Sequence, residues 1–321
     1  MSRRLSSLLA AAALLTVPAT AGAAPKQTAP PAPLPQATVK IDVSGLHGGR
    51  ADIYDTVPVT GTLSPYLPGQ RVEVTFYLDG HRLVSHKVAV AKGPGQTGTF
   101  SSSVVVKEDG KYAVSAKHRA TAVLGGDSTV RKSWKVSFPA LHPGECGKVV
   151  KGFKKALAKM GYVSGGGSCF NGRLGREVLA YRKVNDMNRS EKAGAGLVQD
   201  VFGGRGGYHV RYPDAGEHAE VPLSKQVLVL IKKGKPFAIY PVSTGKPSTP
   251  TITGHYYFYR QEPGLNSHGM YYSFYWHNGY AVHGYAEVPN YAASHGCVRT
   301  FIADQPRIYE QLHYGESIFV F

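Results

Sequence analysis

Residues 291–300 read YAASHGCVRT and contain Cys297, one of only three cysteines in the 321-residue chain. Gly296 precedes this cysteine directly, His295 lies two positions before it and Arg299 lies two positions after it. A cysteine in such a setting can be a reactive thiol, half of a disulfide, a metal ligand or an ordinary packing residue. The choice among these four alternatives decides how the last third of the chain is interpreted.

The first residues have the pattern of a secretory signal peptide. Arg3 and Arg4 precede the apolar stretch LLAAAALLTV (8–17), and the small residues AGA (21–23) follow it. The apolar stretch is short for a bilayer span, which favours a signal peptide over residues 1–23 rather than a retained anchor helix. We therefore expect export to a periplasm-like or cell-wall space. The Pro- and Ala-rich residues 24–37 are expected to form an extended linker.

Export makes the cysteine count informative, because exported proteins fold in an oxidising compartment. Cys146 and Cys169 flank one short segment, and we expect them to form a disulfide. Cys297 is then left unpaired. A free thiol in such a compartment is open to oxidation, so its presence needs a functional reason.

The net charge of +16 suits two kinds of partner, nucleic acid or an anionic envelope polymer. Export argues against nucleic acid. A solvated basic surface explains most of the charge, with attraction to an anionic wall polymer as an additional expectation. The Gly-rich stretch GGRGGY (203–208) is interpreted as a linker at a domain junction and not as a phosphate-binding loop.

Residues 38–138 are predicted to form one all-β domain. Stretches such as RVEVTFYL (71–78) and KYAVSAKH (111–118) alternate apolar and polar residues, with turn sequences between them. Six or seven short strands at this spacing indicate a two-sheet sandwich. The pattern resembles bacterial immunoglobulin-like domains and implies a spacer or docking role. His81, His86 and His118 stand singly among polar residues and are expected to be exposed.

Residues 143–204 change to a helical pattern. VVKGFKKALAKMGY (149–162) has apolar residues at helical spacing, and Gly161 is expected to end that helix. A second helix is predicted over LGREVLAYRKVNDM (174–187). The small core would gain from a Cys146–Cys169 disulfide. The unit resembles the small peptidoglycan-binding module of wall enzymes, although Asn171 and Leu174 replace the usual Asp and Thr. Glycan binding and a rigid helical spacer are both kept as interpretations.

Residues 206–321 are rich in strand patterns again. QVLVLIKKGKPFAIYPVSTG (226–245) predicts a hairpin with its turn at KKGK. ADQPRIYEQLHYG (303–315) predicts a helix after the cysteine, with Asp304 as the N-cap and Pro306 in the first turn. SIFVF (317–321) is expected to be a buried strand. The predicted fold class is thus mainly β and multidomain, with a helix after Cys297.

The residues around Cys297 suit acyl transfer. A thiol attacks an acyl group as the thiolate, so a base must take its proton. His295 and His283 are the two nearby candidates for that base. Gly296 allows a sharp backbone turn and close approach of a substrate. Arg299 can hold a carboxylate through two parallel hydrogen bonds.

The stretch HGYAEVPNYAASHGCVR (283–299) resembles the signature of L,D-transpeptidases, the cysteine enzymes that cross-link peptidoglycan stem peptides. The family pattern is His-Gly or His-Ser, a variable loop, and Ser/Thr-His-Gly-Cys followed by an apolar residue and Asn or Arg. YPVSTGKPSTPTITGHY (240–256) resembles an upstream strand pair of the same family. The resemblance covers about residues 216–321 and is specific at its centre. The loop between His283 and Ser294 is shorter than in many members.

The resemblance implies roles for the matching residues. Cys297 is the nucleophile, His283 the general base and the Gly284 carbonyl the group that orients the imidazole. Backbone amides at Gly296 and Cys297 form the oxyanion hole, and His295 shapes the site. The substrate-binding residues are expected to be Arg299, Ser294, His268 and Tyr271.

The implied partners are peptidoglycan stem peptides as donor and acceptor, bound by a monomer without cofactor or metal. The implied reaction releases D-Ala from a tetrapeptide stem and transfers the acyl group to an amine, which contributes to cell-wall organisation and cell shape. With water as acceptor the protein would be a carboxypeptidase. Two rival classes remain, a zinc hydrolase using His283, His295 and Cys297, and a non-enzymatic wall-binding protein.

Overall fold

A computed structural model describes residues 32–162 and 165–321. The predicted signal peptide (1–23) and most of the predicted linker (24–37) lie outside the described residues. The described chain is mainly β and contains several sheets and four helices. None of its helices in the described ranges has the length and apolar character needed to cross a bilayer.

The N-terminal unit consists of two sheets packed face to face. One sheet has the order β1–β3–β7–β6, and the other has the order β2–β10–β8–β4–β5 with β9 beside β8. The strands are β1 (Thr38–Val43), β2 (Arg50–Asp52), β3 (Thr56–Ser64), β4 (Arg71–Leu78), β5 (His81–Ala89), β6 (Ala91–Lys92), β7 (Gly98–Val105), β8 (Gly110–His118), β9 (Asp127–Ser128) and β10 (Lys132–Ser137). Alternate residues such as Val72, Val74 and Phe76 fill the space between the sheets.

His118 differs from its expected exposure. Alternate residues of β8 are buried, and this alternation puts His118 on the inner face with only 2% of its surface exposed. The polar residues that precede it in sequence were misleading, because a strand sends neighbouring side chains to opposite faces.

Three helices follow the sandwich. They are α1 (Lys148–Lys159), α2 (Gly172–Val184) and α3 (Ala195–Phe202), of which α3 was not predicted. Gly161 follows α1 with a φ of 88°, as expected of a residue that ends a helix. Cys146 and Cys169 form the predicted disulfide, which joins the chain segments on either side of α1.

The helices share a hydrophobic core with the sheet that follows them. Leu174 and Val178 of α2 pack in one cluster with Val227, Val229 and Ile239. These last three residues lie on the strands β12 (Val227–Lys232) and β13 (Lys235–Pro241). The helical unit therefore covers one face of that sheet.

Burial of α2 extends to a carboxyl group. Glu177 is 3% exposed, and the Gly165 backbone is the group that lowers its pKa through a hydrogen bond. Burial raises the pKa of Glu177 to about 8, although the charges of Lys154 and Arg173 lower it. The carboxyl group is therefore neutral at neutral pH in the folded protein.

The Glu177→Gln variant should be more stable than the wild type at high pH. Unfolded glutamate ionises near pH 4.5, so the folded state binds more protons between pH 4.5 and about 8. The free energy of unfolding of the wild type consequently falls as the pH rises through that window. We expect the variant to melt at least ~4 °C higher at pH 8.5, with little difference at pH 4.5. A variant that melts lower at both pH values would mean that Glu177 is ionised and paired.

The C-terminal unit has two sheets. One has the order β13–β12–β11–β19–β14, and the other has the order β15–β16–β17–β18. The further elements are β11 (His218–Val221), β14 (Gly254–Tyr257), β15 (Arg260–Leu265), β16 (Tyr271–His277), β17 (Tyr280–Tyr285), β18 (Val298–Phe301), α4 (Gln305–Gln311) and β19 (Ser317–Val320). β12 and β13 form the predicted hairpin, and β19 pairs parallel to β11 and antiparallel to β14. Leu228, Phe274 and Val298 belong to the core of this unit.

Asp304 lies at the predicted N-cap of α4 but does not cap the helix with its side chain. The Arg176 guanidinium on α2 donates to both carboxylate oxygens, at 2.5 and 2.8 Å. A guanidinium fork binds a carboxylate more strongly than a backbone amide does, which explains the difference. Asp304 therefore ties α4 to the helical unit.

Candidate functional site

The sheet register brings Cys297 and His283 to one face. β17 and β18 are parallel, with Val282 opposite Val298 and His283 opposite Arg299. Paired residues of parallel strands point to the same face, and alternate residues share it. Cys297, one residue before β18, therefore shares a face with His283 and Arg299. Val282 and Val298 point to the opposite face, where they belong to the core.

The backbone before Cys297 requires glycine. Gly296 has a φ of 117°, in the left-handed region that L side chains rarely adopt. A Cβ atom at this position would lie 2.4 Å from a ring carbon of Tyr280. The turn and the aromatic ring beside it fix the position of Cys297.

The Gly296→Ala variant should lose activity and stability together. The added methyl group meets both a strained φ and the Tyr280 ring, so the chain around Cys297 must shift. We expect the rate of Cys297 acylation to fall at least ~100-fold, because small displacements of a nucleophile are costly. Gly207→Ala is the matched control, since a Cβ at Gly207 meets nothing within 4 Å. Wild-type acylation by Gly296→Ala would mean that the turn is not needed.

Ser294, which was expected to bind substrate, is buried and makes hydrogen bonds within its own loop. It is 1% exposed, its hydroxyl donates to the Cys297 carbonyl at 2.6 Å, and it accepts from the Gly296 amide at 3.0 Å. The Gly296 amide is consequently engaged and is not free to donate to an oxyanion, contrary to expectation. A buried hydroxyl satisfies the turn locally because no water can do so.

The segment after β13 makes hydrogen bonds to residues 290–297, which lead into β18 and are called the cysteine loop here. The Thr244 carbonyl accepts from the amides of Ala293 and Ser294, each at 2.8 Å. Thr251 donates its hydroxyl to the Gly296 carbonyl at 2.7 Å and accepts from the Gly245 amide at 2.8 Å. The STGKPSTPT stretch (243–251) thus holds the loop by polar contacts.

His283 is held in one tautomer. Its Nδ1 lies 2.9 Å from the Gly284 carbonyl oxygen, and a carbonyl can only accept, so Nδ1 carries the proton. Nε2 is left with the lone pair that can accept a proton. Burial lowers the pKa of His283 to about 4, with a further lowering by the Arg299 charge. The imidazole is therefore neutral at neutral pH.

Cys297 is half-buried and unpaired. Its thiol lies 3.6 Å from the Gly279 carbonyl oxygen. Burial raises the pKa of Cys297, while the Ala281 backbone and the Arg299 charge act in the opposite direction. The resting pair is thus a neutral thiol and a neutral imidazole, so the thiolate forms only when a base takes the proton.

Arg299 is oriented by an aromatic ring. Its guanidinium carbon lies 4.0 Å from the centroid of Tyr285, whose ring also packs edge-on against His283. Among the residues that the structure describes, no carboxylate lies within ion-pair distance of Arg299. The fork of donors is therefore available to a carboxylate from a ligand.

The other expected site residues are His295, His268 and Tyr271. His295 is exposed, and its Nε2 lies 3.4 Å from the Lys246 Nζ. His268 is exposed between β15 and β16, where its amide donates to the Asn266 side chain. Tyr271 lies opposite Gly284 in the sheet and packs against Tyr272. The described ranges contain no cluster of three His, Cys, Asp or Glu side chains suited to a metal ion.

Sequence reasoning missed four residues that shape the site. Thr300 donates to the His283 carbonyl at 3.0 Å and contacts Gln305, which donates to the Tyr272 carbonyl at 2.6 Å. The other two are Tyr280, whose ring lies beside Gly296, and Tyr285, whose ring contacts Arg299 and His283. The signal available for Thr300 was its place directly after Arg299, on the strand that carries the motif.

Comparison with known proteins gives a family for the C-terminal unit. Residues 216–320 match the model of the L,D-transpeptidase catalytic domain known as YkuD. No curated protein sequence matches the chain.

One solved structure shares the fold at a TM-score above 0.5, and two others are similar at lower scores. An L,D-transpeptidase from Xylanimonas cellulosilytica is 24% identical with a TM-score of 0.53, and the match covers 57% of this chain and 98% of that one. An L,D-transpeptidase from Stackebrandtia nassauensis is 21% identical with a TM-score of 0.35, covering 56% and 94%. The catalytic domain of the E. faecium L,D-transpeptidase is 25% identical with a TM-score of 0.30, covering 33% and 98%. Residues 216–320 are an L,D-transpeptidase catalytic domain of the YkuD type.

Proposed function

We propose that this protein transfers acyl groups between peptidoglycan stem peptides, with Cys297 as nucleophile and His283 as general base. The observation that supports this most directly is the shared face of β17 and β18. There a neutral imidazole with a free Nε2 lone pair lies on the same side as a thiol and an unpaired guanidinium. The imidazole can act as the base, the thiol as the nucleophile, and the guanidinium can bind a carboxylate of the substrate.

The first half-reaction forms a thioester. His283 Nε2 takes the Cys297 proton, and the sulfur attacks the carbonyl between the third stem residue and the fourth, D-Ala. The resulting oxyanion is stabilised by the Cys297 amide, since the Gly296 amide is occupied. The imidazolium then donates its proton to the departing amine. D-Ala leaves, and the acyl group remains on sulfur.

The second half-reaction depends on the acceptor. The side-chain amine of the third residue of a neighbouring stem attacks the thioester, His283 takes a proton from that amine, and the thiol is restored. The product is a 3–3 cross-link. If water attacks instead, the product is a shortened stem, and the protein is an L,D-carboxypeptidase.

Arg299 binds the carboxylate of the donor stem in this mechanism. The released D-Ala carries that carboxylate, so the contact holds the leaving group and aligns the scissile bond over Cys297. Its cation–π contact with Tyr285 restricts the guanidinium without using its donors.

Incubation with a purified disaccharide-tetrapeptide, followed by mass measurement of the products, tests the proposal. A dimer lacking one D-Ala is the expected product. A monomer lacking D-Ala would show the carboxypeptidase reaction, and unchanged substrate would leave only the wall-binding alternative. Chelation before the assay should have no effect, whereas lost activity would favour a zinc hydrolase.

We further propose that the protein acts outside the membrane and attaches to the wall through α1. Four lysines of α1 are exposed at spacings of three and four residues, which puts them on one face of the helix. They are Lys148, Lys151, Lys155 and Lys159. None of the four forms an ion pair with another residue that the structure describes, and such a regular row of cations suits a polymer with repeated anionic groups.

Changing these four lysines to glutamine should weaken binding to an anionic wall polymer such as teichoic acid. We expect co-sedimentation of the wild type with teichoic-acid-bearing walls to fall as salt rises, because exposed charges are screened. The quadruple variant should bind at least ~5-fold less at low salt. Equal binding by the variant would remove α1 as the contact.

A further inference from the structure

The helical unit reaches the cysteine loop through α2. Lys183, in the last turn of α2, is 1% exposed, and its Nζ donates to the Val242 carbonyl at 2.7 Å. No carboxylate lies within ion-pair distance of Lys183 in residues 32–162 and 165–321. Burial lowers the pKa of Lys183 to about 7, and the Arg189 charge acts in the same direction. Burying a lysine with only a backbone carbonyl as partner is costly, so the contact calls for an explanation.

Val242 is the first residue of the segment that carries the cysteine loop. The next residue, Ser243, exchanges backbone hydrogen bonds with Arg299 at 2.9 and 3.0 Å, and its hydroxyl donates to the Tyr291 carbonyl at 2.7 Å. Thr244 then accepts from the two amides described above. Lys183 therefore fixes the backbone at Val242, directly before the residues that make hydrogen bonds to the cysteine loop.

A second contact holds the other end of the loop. Arg189, in the loop after α2, donates to the carbonyls of Asn290 and Ser224, at 2.7 and 2.8 Å. The Asn290 side chain donates back to the Arg189 carbonyl at 3.0 Å. Asn290 directly precedes Tyr291, so the helical unit contacts both the start of the loop and its support.

We propose that Lys183 and Arg189 are positioning residues for the L,D-transpeptidase reaction, which they assist by holding residues 290–299 in the geometry that the reaction needs. The helical unit in that case supports the reaction through α2 and the loop after it, in addition to the wall contact proposed for α1. The inference rests on the proposed function, because its activity readout is the acylation of Cys297.

The chain offers a matched control for each positioning residue. Lys154 is also a buried lysine of the helical unit, but its Nζ donates to Gly166 and Cys169 inside that unit, at 3.0 and 3.3 Å. Arg205 is an exposed arginine whose guanidinium binds Asp200, also inside that unit. Lys154→Met and Arg205→Ala therefore disturb the helical unit without touching the cysteine loop.

The test compares full-length variants by carbapenem acylation of Cys297, followed by intact mass, and by amide hydrogen exchange at Ala293 and Ser294. Lys183→Met is expected to lower the maximal acylation rate at least ~10-fold, with little change in the carbapenem concentration at half-saturation. Arg189→Ala should lower it ~3-fold. Both variants should speed exchange at the two loop amides, and Arg189→Lys should recover part of the loss. The two control variants should keep wild-type acylation and loop exchange.

The outcomes separate the inference from the proposed function. Failure of the wild type to acylate and to process tetrapeptide would overturn the proposed function, whereas the exchange data would still report on loop positioning. Wild-type acylation and exchange in both Lys183→Met and Arg189→Ala would overturn the positioning role. Should Lys183→Met fail to fold, Arg189→Ala and Arg189→Lys decide, because Arg189 is only half-buried.

Discussion

Cys297→Ala is expected to abolish formation of the acyl-enzyme. The variant loses the only group on the shared face that can form a thioester, and no other unpaired cysteine occurs in the chain. We expect turnover of tetrapeptide to fall at least ~10,000-fold. The measurement is intact mass after incubation with a carbapenem, which should show one adduct on the wild type and none on the variant.

The control for Cys297→Ala is thermal unfolding. Cys297 is half-buried and forms no disulfide, so its replacement should change the melting temperature by less than ~4 °C. An adduct that persists on the folded variant would place the nucleophile elsewhere.

His283→Gln is expected to slow acylation by ~100- to 10,000-fold while the protein stays folded. Glutamine can still donate a hydrogen bond to the Gly284 carbonyl, but it has no lone pair basic enough to take the thiol proton. His295→Gln, on the exposed histidine of the same motif, should cost less than ~10-fold. Equal losses in the two variants would contradict the assignment of His283 as base.

The pH profile reports the same histidine. His283 must be neutral to act as a base, and burial together with the Arg299 charge lowers its pKa to about 4. The acid limb of kcat/KM for the wild type should therefore lie near pH 4 and not near 6.5, the ordinary histidine value. A limb near 6.5 would mean that the imidazole is solvated in the working enzyme.

The sequence predicted the parts of this protein that depend on local pattern. Alternating residues such as Val72 and Val74 predicted the sandwich strands, and a known motif led us to expect His283 close to Cys297, which agrees with the register of β17 and β18. The odd cysteine count predicted both the disulfide and the free thiol. The helix α3 was missed because it is short and begins between Gly194 and Gly196, which disfavour helices.

The hydrogen bonds within the cysteine loop could not be predicted, because they depend on which polar groups are buried away from water. Ser294 matches the motif equally well as a substrate ligand or as an internal hydrogen-bond partner. Its burial favours the second role. Likewise, Asp304 could cap α4 or bind an arginine, and the choice depends on Arg176, which is 128 residues away in sequence.

The contact between the helical unit and the catalytic sheet left a trace in the sequence. VLVLI (227–231) is a continuous apolar run, and such runs are typical of strands buried on both faces. The alternation expected of a sheet with one wet face is absent there. The sequence did not identify α2 as the element that covers this sheet face, because α2 carries two ionisable residues, Lys183 and Glu177, on its buried side.

The shared core limits how the protein can be divided. Val227, Val229, Ile231 and Ile239 are each at most 1% exposed while the helices cover them. A fragment that begins at residue 206 bares this aliphatic surface to water, and a bare sheet face of that kind makes a protein prone to self-association. A fragment that begins near residue 139 retains α1, α2 and α3 together with the disulfide. For crystallisation or inhibitor screening, we therefore expect the helical and catalytic units expressed as one piece to stay in solution better than the catalytic unit alone.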